Sequence, residues 1–183
     1  MHSTMASQRC VLLVDGSNLF FKLRNLGLSN LLQFDFAGFG AYLAGEHTLI
    51  RAGYYIGEIR RGQSEQSQRL YDDQQRLLSH LLNHGWYYRL GYLLRSDGVF
   101  HEKGVDVHLA VDMLVAAFKE PYERIILVSS DTDLIPAIEQ AKVEGKHIEY
   151  VGFAHKPSFA LVRTASSAHL LAKQDVLAFI SPR

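Results

Sequence analysis

Short apolar runs punctuate this chain at regular intervals, and longer stretches of helical periodicity lie between them. Cys10–Val14 is a continuous apolar run ending in Asp15-Gly16, the pattern of a strand buried on both faces, as in a parallel sheet. Ser17 and Asn18 are placed to cap a helix over Leu19–Leu26, and Gly27 stops it. A second helix is predicted over Asp35–Leu43 and a strand over Thr48–Ile56. The segment Glu58–Gln68 is polar and carries Arg60-Arg61-Gly62. Ser64 or Ser67 then caps a long helix through Leu70, Leu77, Leu78, Leu81 and Leu82, which ends near Asn83-His84-Gly85. A third strand over Trp86–Leu94 leads to a hairpin turn at Ser96-Asp97-Gly98, with a short return through Val99 and Phe100.

Val105–Phe118 reads as an apolar helix carrying Asp106 and Asp112. Ile125–Ser129 is a fourth strand, followed by Ser130-Asp131-Thr132-Asp133, a helix over Leu134–Val143 stopped by Gly145, and a fifth strand over His147–Val151. Helices around Ser158–Arg163 and Gln174–Ile180 close the chain. Strands alternating with helices of ten or more residues predict an α/β domain of three layers, Rossmann-like, with a mostly parallel central sheet and helices on both faces.

The 183 residues, 48% apolar and 21% charged, suit one domain over residues 1–183 that can bury a substantial core. Residues 1–8 are polar and expected to be flexible. Nineteen basic residues balance nineteen acidic ones, so net charge argues neither for nor against a nucleic-acid partner. One cysteine, Cys10, excludes a disulfide framework and a cysteine-rich zinc site, and fits a reducing, cytoplasmic location. No signal peptide, membrane span or internal repeat is visible.

The acidic residues change the picture. Parallel α/β sheets place ligands beyond the carboxyl ends of their strands. Asp15 ends the first strand, Asp131 and Asp133 follow the fourth, and Asp106 opens a helix just after Lys103-Gly104. If the first and fourth strands are neighbours, these four carboxylates converge on one crevice. Their mutual repulsion is relieved by a divalent cation, and an all-oxygen donor set suits Mg²⁺ or Mn²⁺ rather than Zn²⁺. Such a site suits phosphodiester hydrolysis with one or two ions. Each acid also has a plainer reading: Asp15 as a turn or cap residue, Asp131 as a cap, Asp106 as a favourable charge at a helix start. Asn18, three residues after Asp15, is placed to orient that acid or to cap. Asp112 lies about 240° around the helix from Asp106. It forms a second tier with Lys103 and Ser17, and is read as a structural acid.

Three segments resemble the motifs of the NYN domains, a branch of the PIN-like nucleases that includes the LabA-like bacterial proteins. Val14-Asp15-Gly16-Ser17-Asn18 is similar to the opening motif. Lys103-Gly104-Val105-Asp106-Val107, with Asp112 downstream, is similar to the second, and Val128-Ser129-Ser130-Asp131-Thr132-Asp133-Leu134 with Pro136 to the third. Gly145-Lys146 also fits. Ser130 departs from the pattern, standing where many relatives have glycine. The resemblance implies a PIN-like sheet and a Mg²⁺- or Mn²⁺-dependent ribonuclease. It implies Asp15, Asp106, Asp131 and Asp133 as metal ligands and catalytic acids, Asn18 beside them, and Lys103 as a phosphate contact.

RNA is the expected partner, with no membrane and no nucleotide cofactor; a homo-oligomer is open. Arg60 and Arg61 are candidate RNA contacts on the catalytic edge, with Arg69 and Arg76 nearby. Tyr54, Tyr55, Trp86, Tyr87 and Tyr88 either stack on bases or belong to the core. His101 and His108 flank the second motif, His108 four residues from Asp112. The leading function is a metal-dependent ribonuclease. The alternative is a non-catalytic regulator that binds RNA or a protein through the same crevice. A haloacid-dehalogenase-type phosphatase requires an acid at position 17, where Ser17 stands, and a TOPRIM nuclease requires a glutamate at position 15. The apolar tail Val176–Ile180 docks either on its own chain or on a partner.

Overall fold

A computed structural model of the protein describes residues 7–28, 30–96 and 99–180. Seven strands form one sheet: β1 Arg9–Asp15, β2 Thr48–Gly57, β3 Tyr87–Ser96, β4 Val99–Lys103, β5 Arg124–Val128, β6 His147–Phe153 and β7 Ser167–Leu171. Their order is β4-β3-β2-β1-β5-β6-β7. All neighbours are parallel except β3 and β4. The helices are α1 Gly16–Asn25, α2 Phe36–Ala44, α3 Glu65–Asn83, α4 Val105–Phe118, α5 Ile135–Val143, α6 Phe159–Thr164 and α7 Lys173–Leu177. The expected mostly parallel α/β sheet, covered on both faces, is therefore present.

The continuous apolar run of β1 follows from its central place. Cys10, Leu12 and Val14 enter one core with α1, α2 and α3, whereas Val11 and Leu13 enter the other with α4, α5 and α6. All five are fully buried. A strand covered on both sides gains no advantage from alternation, because no face of it meets water.

The termini and edges depart from the sequence reading. β7 was not expected: its first four residues alternate half-buried and exposed positions, only Leu171 is buried, and pairing with β6 makes them a strand. The last helix is shorter than Gln174–Ile180, because Ile180 bridges to Phe34 and Phe179 packs on Phe34 and Phe39 at 6.2 and 5.5 Å between ring centroids. The apolar tail thus docks on its own chain. Of the stretch 1–8 expected to be flexible, residues 1–6 lie outside the described residues. Ser7 and Gln8 hydrogen-bond to Thr48. Asp97 and Gly98 of the expected hairpin turn also lie outside them, though β3 and β4 pair antiparallel on either side. Among the described residues, no helix is long and apolar enough to cross a membrane.

Candidate active site at the carboxyl edge of the sheet

The chain runs from β1 to β2 and β3 on one side through α1, α2 and α3. On the other side it passes through α4 to β5, then through α5 and α6 to β6 and β7. The two directions part between β1 and β5, which pair in parallel with Val14 opposite Val128. Such a reversal opens a crevice at the carboxyl ends, where neighbouring connections leave to opposite faces. Asp15 and Ser129 are the next residues on the two strands, so both stand at its floor.

Asp15 is held from two sides. One carboxylate oxygen accepts the Asn18 backbone N–H at 2.9 Å and so caps α1. The other accepts the Ser129 hydroxyl at 3.1 Å. Ser129 Oγ in turn accepts the Asp131 N–H at 3.1 Å, and Asp131 Oδ1 accepts the Asp133 N–H at 2.9 Å. One buried hydroxyl therefore ties the acid of β1 to the loop after β5. Sequence reading placed Ser129 as the last residue of a strand and within the third motif, but gave it no role of its own. The available signal was a polar residue at the end of a wholly apolar run, whose buried hydroxyl must find partners.

Gly16 is required beside Asp15: a Cβ there would lie 2.2 Å from the Tyr54 ring. On the opposite side of the crevice, Gly104 has φ +85° and no side chain to cap α4. It turns the chain sharply from β4 into α4, which brings Lys103 and Asp106 over the crevice from either side of one tight turn.

Asp15, Lys103, Val105, Asp106 and Asp131 line one cavity of about 220 Å³. Three carboxylates from three separate segments face a single ammonium group. Asp133 is exposed on the 3₁₀ turn after Asp131 and does not line the cavity; nor does Asn18, whose backbone serves Asp15. Ser17 lines a neighbouring apolar pocket instead. Arg60 and Arg61 are exposed in the segment after β2, outside the acid cavity.

Asp112 stands apart. It is 5% exposed and accepts the Tyr55 hydroxyl at 2.7 Å and the Arg89 guanidinium at 2.8 and 3.1 Å. Burial pushes its carboxyl up, but the hydrogen bonds from Arg89 and Tyr55 outweigh this and hold it below its ordinary value. The same surroundings, burial first and then the Tyr87 and Asp112 oxygens, push the Tyr55 phenol far up. Asp112 thus fastens α4 to β2 and β3, and its partners are Tyr55 and Arg89 rather than His108. Tyr54, Tyr55 and Trp86 are buried in the core, which removes them as base-stacking groups. Arg69 and Arg76 pair along their own helix with Glu65 and Asp73, at 3.5 and 3.1 Å.

The donor set of the cavity suits a hard cation. Among the described residues, no three His, Cys, Asp or Glu side chains stand close enough to hold a metal ion by themselves. Separated carboxylates are the oxygen donors that hard cations such as Mg²⁺ take, commonly with part of the water shell retained. Ser130 Oγ, in the same loop, is buried with no hydrogen-bond partner among the described residues, a polar atom left for water or an ion to satisfy.

The sequence profile of the NYN domain matches residues 9–172. The chain belongs to the NYN domain family. The match is to the family as a whole and singles out no branch within it. The NYN domain has a PIN-like nuclease fold, and here the three motif segments are the ones that bound the crevice. A solved structure of similar fold is that of a protein of unknown function from Vibrio parahaemolyticus. It is 23% identical, with a TM-score of 0.65 over 99% of this chain and 100% of that one. No curated protein matches the chain.

Proposed function

We propose that this NYN domain is a metal-dependent ribonuclease. The observation that carries the reading is the gathering of Asp15, Asp106 and Asp131 around one cavity at the reversal of the sheet. Asp15, Asp106 and Asp131 would hold Mg²⁺ or Mn²⁺, with Asp133 adding negative charge on the loop beside them. Bound there, such an ion would supply neutralisation of developing phosphate charge and would lower the pKa of an attacking water. Asp15 and Asp131 are fixed by Ser129, so their geometry needs no rearrangement when substrate arrives. Lys103 meets a phosphate oxygen of the strand. Arg60 and Arg61, exposed on the same edge, attract the backbone farther along. No protein side chain serves as a nucleophile in this scheme; the acids orient water and phosphate.

The test is incubation of a labelled mixed RNA pool with the protein in Mn²⁺, in Mg²⁺ and in chelator, beside Asp131→Asn. Metal-dependent cleavage that falls at least about 100-fold in the variant is expected. Equal cleavage by both proteins overturns the assignment. No cleavage by either, with RNA retained, replaces it by a regulator that binds RNA through the crevice.

A further inference from the structure

A second, larger cavity of about 430 Å³ opens between α1 and α3 on the same edge of the sheet. Phe20, Phe21, Ile56, Leu70 and Leu77 are among the apolar residues of its wall. Phe21 is 51% exposed and Leu70 49%, on facing helices. Large apolar side chains left to water on opposite walls of one pocket mark a binding surface more often than scattered single ones do. The volume lies in the range of small-molecule sites.

The surroundings indicate what it takes. The pocket lining includes Ser17, two residues beyond Asp15, and Ile59, followed directly by the exposed Arg60 and Arg61; both follow the carboxyl ends of the neighbouring strands β1 and β2. The Arg24 guanidinium lies 5.0 Å from the Phe21 ring centroid and 6.0 Å from that of Phe20. Arg24 and Arg61 make no ion pair among the described residues, and Arg60 has only Glu58 at 3.6 Å. An apolar, aromatic slot with Arg24 beside its phenylalanines, Arg60 and Arg61 next to Ile59, and its one lining acid, Asp73, paired with Arg76 suits a polyanion that carries flat apolar faces. Single-stranded nucleic acid is that ligand.

We infer that this pocket takes one unpaired nucleobase of the RNA strand whose backbone lies across the acid cavity. The inference rests on the ribonuclease reading. Much of its polar lining is already engaged. Gln74 accepts the Ile59 N–H and donates to the Gly57 carbonyl, Asn30 Oδ1 accepts the Leu32 N–H, Tyr54 donates to the Gly16 carbonyl, and Asp73 pairs with Arg76. The base is held chiefly by stacking and shape, which accept all four bases. A duplex is excluded from the slot, because its bases cannot reach it without unstacking.

The test is a two-by-two cycle of binding by fluorescence anisotropy in chelator. Wild-type protein and Phe21→Ala are each titrated against a labelled oligouridine hexamer and against the same hexamer lacking all its bases. Phe21→Ala is expected to weaken the oligouridine complex about tenfold, the worth of one stacked base, and to leave the abasic complex unchanged. Hexamers of A and of C should lose as much as U. Leu70→Ala, on the opposite wall, repeats the measurement should Phe21→Ala lose its fold by circular dichroism. An equal loss on the abasic strand, or no loss on either, overturns the pocket assignment and leaves the ribonuclease reading standing. Failure of wild-type protein to bind RNA in chelator, Mg²⁺ or Mn²⁺ overturns both.

Discussion

Replacing Asp112 by asparagine separates a structural acid from a site acid. The native carboxylate accepts three hydrogen bonds from Tyr55 and Arg89. The phenol is buried, and a bond from a buried donor to a charged acceptor is worth about 1.5–3 kcal/mol. Tyr55 keeps its 2.7 Å bond with Tyr87, which softens the loss. The Arg89 side chain is 48% exposed, so water recovers most of its charge and its share is discounted to about 0–1 kcal/mol. Asparagine preserves the shape but turns one acceptor into a donor facing a guanidinium. The net cost is about 2 kcal/mol, which lowers the urea midpoint by roughly 1 M for a slope near 2 kcal/mol/M. The carboxyl is held below its ordinary 3.8, so its contribution is complete above that pH. It disappears as pH falls through the lower folded-state value. The gap between wild-type and variant in urea titrations should therefore be constant from pH 7 down to about 4.5 and close below 3.8. Metal-dependent cleavage by the folded variant should remain within about threefold of wild-type, since the lost charge is outside the acid cavity. A variant as stable as wild-type, or a folded variant without cleavage, refutes this reasoning and moves Asp112 into the site.

Three further outcomes are expected. Gly104→Ala forces a side chain into φ +85° with its Cβ 3.2 Å from the Tyr92 ring; it should cost about 1–2 kcal/mol by urea unfolding and lower cleavage by displacing Asp106. Glu123 accepts both a side-chain and a backbone hydrogen bond from Arg9, which together hold its carboxyl at about 2; its NMR titration should show that midpoint and return toward 4.5 in Arg9→Ala. Any stability from that pair is complete above the unfolded value and is lost as pH falls through the folded one. Cys10 is fully buried, and burial pushes its thiol up to about 11, so alkylation at pH 8 should proceed only at the rate of unfolding and accelerate in step with urea.

The sequence by itself determined the class of fold. Apolar runs such as Cys10–Val14, short and closed by Asp15-Gly16, read as strands covered on both faces, and helical periodicity between them requires crossovers. It also singled out Asp15, Asp106 and Asp131 as acids at strand ends and helix starts, where a cap and a ligand look alike in local sequence. Local pattern does not carry the order of the strands, and that order alone makes β1 and β5 neighbours and brings these acids to one cavity. Tertiary structure also decided between equal local readings. Tyr54, Tyr55 and Trp86 went to the core, while Phe21, part of an ordinary amphipathic helix by sequence, was left facing an open pocket. Ser129 gained its importance only from a partner 114 residues away in sequence. β7 exists because β6 offered an unpaired edge; its own five residues do not specify a strand. Periodicity records whether a residue is buried, whereas its partner is set by long-range packing, which no local window contains.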